Sequence, residues 1–306
     1  MIEYYSNGKL LITGEYGVLD GALSFAVPSK YGQNLVVQEA DTMVLEWVSF
    51  DHTNHNWFTV VYNLKDLEVL NPLKAITNTS DEKIALVLLD ILVAAKRMNP
   101  DFLNTGVTVN TQVTFPKEWG LGTSSTLINN IAQWAKVDAF RLLWESFKGS
   151  GYDIACAQHE TPITYQIVNT VPVVMGKRFQ PTFLDNLYFV YLNKKQDSKE
   201  GIAHYRALGA SKSKMLAAQT EITKMLLEVT TLHEFEELLL RHETIVSNTL
   251  NIPKVKDLYF ADYLGAVKSL GAWGGDFVLA TGNEKTPEYF KSKGFEVVIP
   301  YADMVL

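Results

Sequence analysis

Segments of apolar residues in the first third of the chain predict β-strands, because they are rich in branched and aromatic residues and are broken by polar Asp and Asn and by Gly. Residues 106–115 also alternate between apolar and polar positions. The polar tract 51–56 between two of these segments predicts a hairpin tip. The predicted strands are residues 10–13, 35–39, 43–50, 57–62 and 106–115, the last of which runs into a proline.

Apolar residues at helical spacing predict helices between and after these strands. The first helix is expected to begin after Ser80, as N-cap, and to end at Asn99 and Pro100. A second should stop at Gly149 and Gly151, and a third should start near Tyr152. The predicted long helices are residues 81–98, 126–147, 210–229 and 232–250.

The second half mixes these helices with further strand-like segments, at residues 164–168, 187–192, 277–280 and 295–299. This order of strands and helices indicates an α+β fold. With 306 residues, the chain is long enough for two domains, and we expect them at residues 1–170 and 171–306.

Composition narrows the classes of partner. The formal net charge is −7, which argues against nucleic acid as the main partner. A single cysteine, Cys156, excludes an internal disulfide and a thiolate-rich metal site. The six histidines show no metal-ligand spacing. No signal peptide or membrane span is evident, so we expect a cytoplasmic protein. We also expect it to be a monomer or a homodimer.

Three glycine-rich segments, at residues 7–17, 120–125 and 271–276, stand beside apolar runs. Glycine allows positive φ and close approach of the backbone to a ligand. The central segment follows a strand and opens a helix, so its backbone N–H groups and the helix dipole favour a phosphate. Without further context, it is equally compatible with an ordinary strand–helix connection. It is neither a Walker A loop nor a dinucleotide-binding fingerprint.

Two charged residues lie where chemistry would need them. Lys9 stands at the end of an apolar strand, where an ammonium can hold a phosphate or lower the pKa of a carboxylate. Asp153 follows Gly151 at a helix start, where it could orient or deprotonate a hydroxyl. In isolation, each also fits a structural role, as a surface lysine and as a helix N-terminal acid.

Taken in order, four motifs resemble the GHMP kinase superfamily, which includes galactokinase, homoserine kinase, mevalonate kinase and phosphomevalonate kinase. They occupy residues 8–19, 116–125, 149–153 and 271–276, so the resemblance covers nearly the whole chain. Gly14-Glu15-Tyr16, Gly149-Ser150-Gly151-Tyr152-Asp153 and Gly271-Ala272-Trp273-Gly274-Gly275-Asp276 are most similar to phosphomevalonate kinases, with mevalonate kinases next.

The resemblance implies an α+β, two-domain GHMP kinase fold, with an N-terminal domain like domain 2 of ribosomal protein S5 and a ferredoxin-like C-terminal domain. It implies ATP and Mg²⁺ as cofactors and a small-molecule substrate. The implied catalytic residues are Lys9 and Asp153, and Ser124 is the implied Mg²⁺ ligand. ATP phosphates would bind Gly120, Leu121, Gly122, Thr123, Ser124 and Ser125. Substrate would contact Glu15, Tyr16, Ser150, Gly151, Gly274 and Gly275.

Two departures from the family pattern leave alternatives open. Trp273 replaces a glycine of the last motif. Leu142 stands where mevalonate kinases carry the glutamate that supplies a second contact to Mg²⁺, and Glu145 is nearby but out of register. The leading hypothesis is a kinase acting on mevalonate or 5-phosphomevalonate. The alternatives are a homoserine or sugar kinase, or a catalytically weakened homologue that binds a nucleotide or metabolite.

Overall fold

The computed structural model describes residues 1–67, 74–195 and 198–306. The chain forms two compact units, each assembled from separate stretches of sequence. Unit 1 comprises Met1–Gly8, Tyr31–Lys117 and Gly122–Gln158, and unit 2 comprises Lys9–Lys30, Glu118–Leu121 and His159–Leu306. The division at residue 170 that the sequence suggests stays a prediction.

Two long strands, β1 and β2, contribute residues to both units, and they pair with each other. In unit 1 the sheet continues in the order β2–β6–β3–β4–β5. Strands β3 and β6 are parallel, and the other neighbours are antiparallel. The strands are β1 (Ile2–Thr13), β2 (Ser24–Ala40), β3 (Val44–Phe50), β4 (Asn56–Asn63), β5 (Ile76–Thr79) and β6 (Gly106–Val113).

Four helices complete unit 1: α1 (Glu82–Met98), α2 (Thr123–Ala135), α3 (Ala139–Ser146) and α4 (Tyr152–Ala157). Apolar residues of the strands and helices form one buried core, in which Trp47 of β3, Leu89 of α1 and Ile131 of α2 are almost fully enclosed. Burial on this scale is the main stabilising term, at roughly 25 cal/mol per Å² of apolar surface. The predicted hairpin at 51–56 is confirmed, because β3 and β4 pair across it.

Unit 2 holds the start of β2, which pairs with β7, and β7 pairs in turn with β8. A separate antiparallel sheet has the order β10–β11–β9–β12. The strands are β7 (Ile163–Val168), β8 (Val171–Gly176), β9 (Leu187–Tyr191), β10 (Val267–Ser269), β11 (Phe277–Thr281) and β12 (Val298–Pro300).

The helices of unit 2 lie mostly between β9 and β10 in sequence. Thr231 and Glu234 form a capping box at the start of the longest one, α7, which fixes where it begins. The helices are α5 (Ser198–Ala207), α6 (Ser213–Leu226), α7 (Leu232–Leu250), α8 (Val255–Tyr259), α9 (Thr286–Ser292) and α10 (Tyr301–Met304). No helix in the described ranges combines the length and the apolar character that a bilayer crossing requires.

The α+β class is confirmed, but several predicted boundaries are wrong. The helix predicted at 126–147 is two helices, because Lys136 ends α2 in the left-handed conformation (φ 54°) and Asp138 caps α3 by accepting from the Arg141 N–H. The N-cap of α1 is Asp81 rather than Ser80, since the Asp81 carboxylate accepts from the Ile84 N–H.

Other differences concern extent. The helix predicted at 210–229 is α6 with a short 3₁₀ turn before it, and the strand predicted at 295–299 is β12, which is shorter and begins later. Strand β2 is far longer than the five residues predicted. The sequence pattern missed β5, β8, β10, α5, α8, α9 and α10.

Candidate active site

The central glycine segment opens α2, as predicted. Gly120 (φ 67°) and Gly122 (φ 94°) both adopt the left-handed conformation, which glycine reaches without steric cost. Gly122 is the N-cap of α2 and supplies no side chain to cap the first turn. The leading N–H groups of α2 therefore keep their capacity to bind an anion.

The three hydroxyls at the start of α2 differ in their surroundings. Ser125 is buried, and its Oγ donates to the Gly122 carbonyl at 2.9 Å. Ser124 is exposed, so its hydroxyl is accessible to a ligand, whereas Thr123 is half-buried. Of the three, Ser124 best fits its predicted role as a ligand.

Few of the described side chains could coordinate Mg²⁺. Across the ranges that the structure describes, no group of three or more His, Cys, Asp or Glu side chains could hold a metal ion. Leu142, at the place of the family's glutamate, is fully buried in the core of unit 1, and Glu145 is exposed. Mg²⁺ often keeps several waters and binds through substrate phosphates. An exposed Ser124 hydroxyl fits a cation that arrives with a nucleotide, and not a preformed metal centre.

An apolar cavity of about 180 Å³ adjoins this loop within unit 1. Its lining includes Trp57, Phe147, Lys117, Thr123 and Ser124. The Lys117 ammonium lies 3.7 Å from the centre of the Trp57 ring, a cation–π contact. An aromatic-lined pocket beside an anion site suits a flat ring attached to phosphates. Sequence reasoning missed it; the adjacent Trp57 and Phe58 of β4 were the available signal.

Lys9 contacts the glycine loop inside unit 2. Its Nζ donates to the Gly120 carbonyl at 2.7 Å, and its backbone N–H donates to the Leu121 carbonyl at 3.0 Å. A side chain at position 120 would collide with Asp276, because an added Cβ would lie 2.4 Å from the carboxylate carbon. Lys9 therefore holds the first residues of the loop through hydrogen bonds, and Asp276 packs against Gly120 so closely that only glycine fits there.

Asp153 is the second residue of α4, which begins directly after the left-handed Gly151 (φ 90°). Its Oδ1 accepts from the Ile154 N–H at 3.1 Å, and the residue is half-buried. Ser150, three residues before it, is buried. Because Asp153 belongs to unit 1 and Lys9 to unit 2, the expected approach of their side chains stays a prediction.

The predicted substrate residues of the first motif are enclosed. Glu15 is fully buried, and burial raises the pKa of its carboxyl to about 7 against the opposing effect of Lys268. Tyr16 is also buried; its hydroxyl donates to the Ala272 carbonyl at 2.8 Å, and its ring stacks on Tyr205. The substrate role of both residues stays a prediction.

Trp273 is buried instead of projecting into solvent. Only 3% of the residue is exposed, and the indole packs in an apolar cluster with Tyr16, Tyr205, Met215 and Val246. Its backbone has φ 52°, a conformation that favours glycine, as does that of Gly274 at φ 82°. The third motif therefore keeps the left-handed backbone conformation that glycine favours. The Trp273 indole fixes the motif to the apolar interior of unit 2.

No protein-family model matches the sequence, and no curated relative matches it significantly. Solved structures do match it. The Methanococcus jannaschii mevalonate kinase superposes with a TM-score of 0.69 at 19% identity, covering 97% of this chain and 96% of that one. The Streptococcus pneumoniae phosphomevalonate kinase, solved with phosphomevalonate and AMPPNP, gives 0.69 at 15%, covering 99% and 97%.

The Lactococcus lactis galactokinase, solved with galactose, gives a TM-score of 0.68 at 13% identity and covers 95% of this chain and 88% of its own. These similarities extend over nearly the full length of each chain. The GHMP kinase fold that the four motifs predict is therefore confirmed.

Proposed function

We propose that this protein is an ATP-dependent small-molecule kinase that transfers the γ-phosphoryl group to mevalonate or 5-phosphomevalonate. The observation that carries the proposal is the glycine loop at the start of α2, with an aromatic-lined cavity beside it. Phosphoryl transfer depends mainly on alignment and charge neutralisation, which a loop of N–H groups, a lysine and a metal ion can supply.

The proposed roles follow the motifs. ATP phosphates bind at Gly120–Leu121–Gly122 and at the first turn of α2, and the base occupies the cavity beside Trp57. Ser124 would contact the Mg²⁺ that accompanies the nucleotide, and this ion would screen the negative charge of the phosphates. Lys9 holds the loop through its contact with the Gly120 carbonyl and neutralises phosphate charge.

Asp153 accepts the proton of the acceptor hydroxyl or orients that hydroxyl. Ser150, Gly151, Gly274 and Gly275, together with the first-motif residues, form the proposed acceptor contacts. A phosphomonoester acceptor would need a further cation. The Lys30 ammonium already donates to the Ala302 carbonyl at 2.7 Å. We further propose that the protein is cytoplasmic and is a monomer or a homodimer.

Two alternatives rest on specific residues. The buried Trp273 and Leu142 depart from the family pattern and favour either a different acceptor, such as homoserine or a sugar, or a weakened homologue that only binds. An ADP-release assay across mevalonate, 5-phosphomevalonate, homoserine and galactose separates these readings. We expect turnover with one of the first two. Tight ATP binding with no turnover on any acceptor would favour the binding homologue.

A glycine substitution tests the phosphate site. Gly122→Val places a β-branched residue at φ 94°, which should distort the loop and raise the dissociation constant for ATP at least about tenfold, a loss of ~1.4 kcal/mol. Isothermal titration calorimetry measures this directly. Gly294→Val is the matched control, because Gly294 has φ 89° and open space around an added Cβ.

Both variants carry the same kind of backbone strain, of ~1–3 kcal/mol, so similar losses of stability are expected. Only Gly122→Val should lose ATP affinity. Equal ATP affinity in the two variants would remove the phosphate assignment.

A further inference from the structure

Four titratable side chains meet in the interior of unit 2. Glu15 follows β1, His242 and Glu243 lie on α7, and Lys268 lies on β10. Glu15, His242 and Lys268 are 0% exposed and Glu243 is 2% exposed. Charges are rarely buried so completely unless they are paired. We refer to these four residues as the buried cluster.

Hydrogen bonds tie the buried cluster to the backbone of two glycine motifs. The Lys268 ammonium donates to Glu15 Oε1 and, at 2.8 Å, to the Ser269 carbonyl. The Ser269 N–H donates to Glu243 Oε1. Gly14 and Glu15 belong to the first motif, and Lys268 and Ser269 lead into the third. The cluster therefore connects both motifs with α7.

The imidazole of His242 reveals where a proton must lie. The Gly14 N–H donates to His242 Nε2 at 3.1 Å, so Nε2 carries a lone pair and the ring proton is on Nδ1. Glu15 Oε2 lies 3.3 Å from the same Nε2. An ionised carboxylate oxygen would place a second acceptor against that lone pair. A proton on Glu15 Oε2 makes it a second donor that shares the Nε2 lone pair with the Gly14 N–H in a three-centre hydrogen bond.

The charge balance points the same way. With both carboxylates ionised, the neutral imidazole and one ammonium leave a net charge of −1 in a site sealed from water, which is costly. One added proton brings the total to zero. An imidazolium would instead lie beside the Lys268 ammonium, and burial together with that charge holds the pKa of His242 well below its usual range.

We propose that the buried cluster is a proton site: on the acidic side of neutral pH, it holds one proton between Glu15 and His242, while Glu243 remains ionised and balances Lys268. The proton is part of the connection between Gly14, α7 and Ser269. Its loss on the alkaline side leaves a net negative charge in the interior and weakens that connection. This inference does not depend on the reaction that the protein catalyses.

The surrounding charges agree with this assignment. Burial raises the pKa of the Glu15 carboxyl and of the Glu243 carboxyl, each to about 7, and Lys268 opposes both shifts. Glu243 adds to the raised pKa of Glu15, whereas the hydrogen bond from the Ser269 N–H and the charge of Lys254 favour the ionised form of Glu243. The neighbouring Tyr16 hydroxyl stays protonated, since burial and Glu15 raise its pKa to about 12. Because two coupled carboxyls titrate as one system, the buried cluster takes up a first proton before a second, and the contact with His242 Nε2 places the first on Glu15.

The sign of the pH dependence follows. A carboxyl with a raised pKa in the folded state binds its proton more tightly when folded. The resulting stabilisation is complete below the unfolded pKa of 4.5 and is lost as pH rises through about 7. Between these values, the unfolding equilibrium constant should rise roughly tenfold per pH unit for each proton involved.

Glu15→Gln provides a sharp test, because the amide mimics the protonated carboxyl. Its Oε1 can accept from Lys268 and its NH₂ can donate to His242 Nε2. We expect the ratio of the wild-type to the variant unfolding constant, from urea denaturation, to increase at least about tenfold between pH 5 and pH 8. A ratio that is constant over this range would overturn the proposal.

Glu237→Gln is the matched control, since Glu237 forms a similar contact with His233 at 3.4 Å on the surface of α7. That variant should show no pH-dependent ratio. A second measurement uses the wild-type protein, so it does not depend on a variant that folds. ¹³C NMR of the glutamate carboxyls gives the Glu15 titration midpoint, and ¹⁵N NMR of the His242 ring gives its protonation state. A Glu15 midpoint near 7 with a neutral Nδ1–H ring would support the proton site. A Glu15 midpoint near 4.5, or an imidazolium at pH 6, would refute it.

Discussion

Replacing Asp153 with asparagine is expected to lower kcat by at least about 100-fold, the lower end of what positioned acid–base groups contribute. The amide keeps the shape of the side chain but cannot take a proton from an acceptor hydroxyl. ATP affinity should change little, because the proposed phosphate contacts are backbone N–H groups of the loop and α2. Steady-state kinetics and calorimetry on the same preparation measure both effects.

Asp257→Asn is the control for this experiment. Asp257 also lies in the first turn of a short helix, α8, and it is exposed. Its replacement should leave kcat unchanged. If Asp153→Asn kept full turnover, the kinase proposal would remain, but Asp153 would lose its catalytic role.

The second large effect concerns Lys268. Lys268→Met should destabilise the protein by about 3–5 kcal/mol at pH 8, because it leaves buried carboxylates without their cation. The loss should shrink as the pH falls towards 5, since Glu15 and Glu243 can then take up protons instead. Urea unfolding at several pH values gives the free energies directly.

A surface pair supplies the comparison. Lys293 lies 2.8 Å from Asp262, with side chains 37% and 63% exposed. Exposed pairs contribute ~0–1 kcal/mol, so Lys293→Met should cost no more than that. Equal losses in the two lysine variants would mean that the buried ion pair is not an important source of stability.

Local sequence signals predicted the elements that local interactions determine. Helix α7 begins at the Thr231–Glu234 capping box. The hairpin between β3 and β4 turns at the polar tract of residues 51–56. The first half of strand β2 was missed, because Pro28 and Gly32 interrupt its apolar pattern. Only the second half, which pairs with β6 from Gln33 onwards, carries a recognisable strand pattern. The break at Lys136 depends on a backbone conformation that no side-chain pattern reveals.

The candidate site shows the same division. The glycine loop at the start of α2 was predictable, because glycine, hydroxyl residues and a helix start are adjacent in sequence. The buried cluster was not, since residues 15, 242, 243 and 268 meet only through tertiary contacts. Nor could the sequence reveal that the Trp273 indole packs inside unit 2, because a bulky residue in a glycine motif signals only a departure from the family pattern.

Phosphoryl transfer from ATP to a small acceptor is tested most directly by ³¹P NMR of the wild-type protein with ATP, Mg²⁺ and either mevalonate or 5-phosphomevalonate. We expect that, with one of the two acceptors, the γ-phosphorus signal of ATP disappears while signals of ADP and of the phosphorylated acceptor appear in equal amounts. If ATP remained intact with each acceptor, or were converted only to ADP and inorganic phosphate, the proposed phosphoryl transfer would be wrong.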